Sequence, residues 1–112
     1  MARSLDDLLK IDGVAAAGEF ALDGKLVAFK ANVDFPKELA ETTAQFTASV
    51  TQLFNVLAGS FSKLSPFKFV PQQGWAYSGG EWSVAVGGNR GVFVKTAKAD
   101  YNKLFEALVG PR

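Results

Sequence analysis

Neither cysteine nor histidine occurs anywhere in the 112 residues. Their absence removes the thiolate nucleophile, the disulfide framework, the thiolate metal site and the usual general base near neutral pH. Catalysis would have to run on Asp, Glu, Lys, Tyr or Ser. The sequence holds no GxSxG and no two or three carboxylates at ligand spacing. Asp6-Asp7 and Glu38 with Glu41 sit where helix starts favour negative charge. No catalytic, metal-binding or cofactor-binding residue is therefore assigned, and a carboxylate-only enzyme is the weakest reading.

Charge of either sign is sparse and balanced: 12 Lys and Arg against 11 Asp and Glu leave a net +1. The basic residues do not cluster, whereas a nucleic-acid binder carries a basic stripe that displaces counterions. Nucleic acid is thus not an expected partner. The start, MARSLDDLLKIDGV, lacks the basic, apolar and small-residue regions of a signal peptide, which leads to an expectation of the cytoplasm. A chain of this length supports one core, so a single domain over 1–112 is expected.

What is present reads as alternating elements. Ser4 caps a short helix carrying Leu5, Leu8 and Leu9, which ends at Gly13. Strands over 14–20 and 25–33 flank Asp23-Gly24, a pair suited to a tight hairpin. Asp34 and Pro36 open a long helix that runs to about Leu64, where Ser65-Pro66 stops it. Strands over 73–78, 81–86 and 91–96 form a meander. A last amphipathic helix follows from Asp100 and stops at Gly110-Pro111.

The VGGNRG segment has the glycine content of a phosphate loop but not its chemistry. A Walker loop continues with Lys and Ser or Thr, and a dinucleotide fingerprint opens a helix. Here Val92, Phe93 and Val94 continue as strand, so Gly87, Gly88 and Asn89 read as a turn. Arg90, at the expected tip, is the candidate contact for a partner protein.

From Thr42 to Ser62 there is no charged residue at all. The run is too rich in Thr, Ser, Gln and Asn to span a membrane. A helical projection places Leu39, Phe46, Val50, Leu53, Leu57, Phe61 and Leu64 on one stripe, expected to pack on the sheet. The opposite side carries Ala44, Ala48, Thr51, Asn55, Gly59 and Ser62, small residues that let two helices approach closely. That side is the expected homodimer interface, and the alternative is a helix broken at Gly59 with this side wet.

The ordering of elements, with GVAAAGEF, DGKLV, PQQGWAYSGG, VAVGGNRGVFV and KADYNKLFEALVG, resembles a prokaryotic family of uncharacterised proteins within the roadblock (dynein light chain) group. The resemblance implies an α+β fold of roadblock/profilin-like type, helix-strand-strand-helix-three strands-helix, with helices on the faces of a five-stranded antiparallel sheet. It implies homodimers in which the second helix meets its mate and the third strand, carrying Trp75 and Tyr77, pairs across the two-fold. Relatives in the group act as scaffolds or regulators of small GTPases and motor complexes. The function so implied is an interaction or regulatory module with no cofactor, its partners being a second copy and another protein. The rival is a small-molecule sensor with a pocket between sheet and helix, lined by Trp75, Trp82 or Tyr77.

Overall fold

The computed structural model describes residues 4–70 and 73–109. Helix α1, Leu5–Leu9, starts at a reciprocal cap: the Asp7 amide donates to Ser4 Oγ and the Ser4 amide to the Asp7 carboxylate. Strands β1, Val14–Phe20, and β2, Leu26–Ala31, make the first hairpin. Its turn places Gly24 at φ 90°, which favours glycine, and a Cβ there would lie 3.2 Å from Gln45 Cα, a tight approach.

Helix α2 runs unbroken from Lys37 to Leu64, 28 residues, straight through Gly59. At 1.5 Å per residue it is about 42 Å long, close to the molecule's longest dimension of 45 Å. Strands β3, Gly74–Gly79, β4, Trp82–Gly87, and β5, Arg90–Lys95, complete the sheet. A 3-10 turn, Thr96–Lys98, leads into α3, Tyr101–Val109. Asp100 Oδ1 accepts from the Lys103 amide at the start of that helix, while the Gly110-Pro111 stop lies outside the described residues.

The five strands are antiparallel in the order β2-β1-β5-β4-β3, leaving β2 and β3 at the edges. Helices α1 and α3 share one face, where Leu8, Ala85, Val94 and Leu104 are fully buried. Helix α2 lies on the other, over Phe20 and Val86. The GGNR segment is a turn with Gly88 at φ 60°, and it passes straight into β5.

Candidate protein-interaction surface

The facing of α2 decides what the surface can do, and it is the reverse of the sequence expectation. Ala40, Ala44, Thr47, Ala48, Thr51 and Ala58 are the buried positions. Leu39, Phe46, Leu53, Leu57, Phe61 and Leu64 are exposed, Phe46 and Leu53 at 67%. The sheet beneath already supplies bulk in Phe20, Trp75 and Val86, so close packing requires small residues on the helix. Ala44, Ala48 and Thr51 therefore belong to the core of one chain and cannot form an interface. Asn55 and Gly59 are exposed. Ser62 is half-buried, and its hydroxyl donates to the Phe69 carbonyl at 2.8 Å and accepts from the Phe69 amide at 2.7 Å.

C-terminal to Thr51 the helix buries only Ala58. This outer part is an arm carrying exposed Leu53, Val56, Leu57, Phe61 and Leu64. The chain then folds back as a hook. Ser65 Oγ donates to the Phe61 carbonyl and accepts from the Phe67 amide, and the rings of Phe61 and Phe69 lie 5.0 Å apart. Phe67, Phe69 and Val70 are exposed along this hook. So much apolar surface in water makes the arm and hook the candidate interaction surface.

Trp75 anchors the helix to the sheet rather than facing outward. Its indole N–H donates to Thr51 Oγ1 at 3.0 Å, and its ring meets Phe54 edge-on at 5.8 Å. Tyr77, two residues along the same edge strand, is 65% exposed. Trp82 is exposed at the far end of β4. None of these three aromatics lines the small cleft under the N-terminal half of α2.

Arg90 also departs from expectation: it is 7% exposed, and Nη2 donates to the Leu108 carbonyl at 3.5 Å. Pairing of Gly87 with Arg90 makes it the first residue of β5 and brings it beneath the end of α3, where the helix dipole favours a cation. A buried guanidinium cannot greet a partner.

A hydroxyl network joining β3, β4, the 3-10 turn and α3 has no sequence signal, because Thr96 and Tyr101 lie more than a dozen residues from the serines they meet. Ser78 Oγ is 2.8 Å from Ser83 Oγ and 2.9 Å from the Tyr101 hydroxyl, and Ser83 Oγ is 2.8 Å from Thr96 Oγ1. Hydrogen bonds from Ser78, and secondarily Ser83, hold the Tyr101 phenol below its ordinary value. Among the described residues no group of three or more carboxylates could hold a metal, and no helix is long and apolar enough to cross a membrane.

Residues 4–109 match the family described as Uncharacterized conserved protein (DUF2173). No curated protein matches the sequence. Among solved structures, the Roadblock/LC7 domain from Streptomyces avermitilis superposes with a TM-score of 0.74 at 12% identity, over 93% of this chain and 84% of that one. The gliding protein MglB from Thermus thermophilus gives 0.72 at 19%, over 94% and 82%. Myxococcus xanthus MglB gives 0.72 at 12%, over 92% and 86%. At these identities the likeness establishes the roadblock fold.

Proposed function

The chain belongs to the Uncharacterized conserved protein (DUF2173) family, and from that membership and its roadblock fold we propose that it is a non-catalytic homodimer serving as an interaction or regulatory module for another protein. The carrying observation is the apolar outer face of α2, which leaves Phe46, Leu53, Val56 and Phe61 in solvent while alanines occupy the core. A two-fold, self-complementary contact is the commonest way to cover such a face.

The geometry accommodates that contact. Strand β3 is an open edge. Two copies of it paired antiparallel about a two-fold would extend the sheet and set the two α2 arms antiparallel on the same side. The interface is then assigned to Phe46, Leu53, Leu57 and Phe61, with Asn55, Gly59 and Tyr77 beside them. Fully burying one such large side chain contributes about 1.5–3 kcal/mol, so a few suffice for a stable pair. The second partner is a protein, and the roadblock resemblance points to a small GTPase or an enzyme complex as its class.

Light scattering after gel filtration tests the interface. Leu53→Glu and Phe61→Glu should each halve the mass with folding intact, and Lys37→Glu should not. An unchanged mass in both interface variants would remove the reading.

A further inference from the structure

We infer that the hook after α2 is a clasp for a second copy of the chain. Phe67 and the Phe61–Phe69 pair of one protomer close over the partner's Leu39 and the partner's Phe46, on the N-terminal half of its α2. The inference rests on the homodimer reading and adds to it a register and a task for the hook.

Helix α2 leaves the sheet at β3. Trp75 of that edge strand donates to Thr51 and meets Phe54 edge-on, so the helix from Asn55 to Leu64 continues for about 15 Å beyond, at 1.5 Å per residue. Paired strands lie only about 4.8 Å apart, so a two-fold that joins β3 to its copy passes close beside Trp75. Two copies of α2 therefore pass each other antiparallel near Leu53 and Phe54. The facing agrees. Gln52 Nε2 donates to the Leu22 carbonyl at 3.3 Å and Gln45 lies against Gly24, which puts both glutamines on the flank toward the β1–β2 turn. At about 100° per residue, Phe46, Val50, Leu53, Leu57 and Phe61 fall on the other flank, toward Tyr77 and the two-fold.

From a point between Leu53 and Phe54 this stripe is the same in both directions. Val50 and Leu57 stand equally far from it, and so do Phe46 and Phe61. In an antiparallel pair centred there, Val50 meets the partner's Leu57 and Phe46 meets the partner's Phe61. The run from Thr42 to Ser62 carries no charge, so such self-pairing sets no like charges together.

Leu39 lies one heptad further out and is exposed. Its counterpart position falls past Leu64, where the helix has ended, and the hook occupies that place. Ser62 Oγ bonds both the amide and the carbonyl of Phe69, which returns the Phe69 ring to the side of Phe61 and leaves Phe67 exposed at the bend. These bonds hold the hook in shape within one chain, which lowers the ordering cost of the contact.

The chain has no cysteine, so introduced thiols report contacts without background. In the double variant Leu39→Cys with Phe67→Cys, the two sites of one chain are separated by roughly 38 Å of helix. A short bismaleimide should therefore join them only between copies, giving a covalent dimer on a denaturing gel. Leu53→Cys alone should also cross-link, since it marks the centre, and Leu39→Cys alone should not. Without cross-linker, Phe67→Glu should weaken self-association at least tenfold in sedimentation equilibrium with helix content unchanged. Val27→Glu, on the far edge strand, should leave it unchanged. Cross-linking through Leu53→Cys but not in the double variant overturns the clasp and leaves the dimer standing. Cross-linking through Leu39→Cys alone, or a Phe67→Glu dimer as tight as the wild type, also overturns the clasp. A wild type of single mass overturns both readings.

Discussion

On one face of the sheet, Leu8 of α1 and Leu104 of α3 are fully buried against Val94. On the other, a single helix rests on alanines and leaves Tyr77 and Trp82 in the open. Large side chains meeting large ones from two helices seal the first face. Small side chains on α2 bring it close at the near end only, where Gly18 and Ala44 leave a cleft, and beyond Thr51 it becomes an arm. The difference separates a sealed face, which stabilises the fold, from a half-covered one, which leaves large apolar side chains exposed.

The sharpest way to break this comparison is a pair of glutamates on opposite sides of α2. Ala48→Glu buries a charge between helix and sheet and should destabilise the chain by about 3–5 kcal/mol in chemical denaturation. Leu53→Glu should change the stability of the isolated chain by no more than about 0.5 kcal/mol. Equal losses from both would mean that the outer stripe is core after all. Next in size is Thr51→Val, which removes the acceptor of the Trp75 indole and should cost about 1 kcal/mol, with a shift in tryptophan emission.

The smallest effect belongs to the sealed face. Ser78→Ala should raise the Tyr101 midpoint toward its ordinary value in a phenolate absorbance titration, because the Ser78 hydrogen bond is the largest cause of the lowering. The lowered value means that the folded chain binds fewer protons than the unfolded one just below pH 10. Stability therefore gains a small increment as pH rises through the folded midpoint, and loses it as pH falls again. The variant should flatten that increment.

Much of the architecture was legible because its signals are local. Ser4 with Asp7, Asp23-Gly24 and the Gly88 turn each fix a boundary through backbone angles or a nearby side chain. The uncharged run from Thr42 to Ser62 predicts a helix covered on both sides; the helix is there, but its large residues Phe46, Leu53 and Phe61 are exposed in the chain. Its facing was not legible. Both sides lack charge, and the habit of assigning the larger residues to the core fails when the opposing sheet supplies Phe20 and Trp75. Arg90 was misplaced for a related reason: glycines beside it advertise a loop tip, but the acceptor at Leu108 is eighteen residues away and only tertiary structure brings it close. The Ser78, Ser83 and Tyr101 cluster was missed on the same ground.

The β1–β2 hairpin turn presses against α2 where Gly24 comes within a methyl group's breadth of Gln45. That contact makes the turn a spacer. A side chain at Gly24 would combine a strained positive φ with a 3.2 Å approach to the Gln45 backbone, so one hydrogen in place of a methyl lets hairpin and helix lie this near each other.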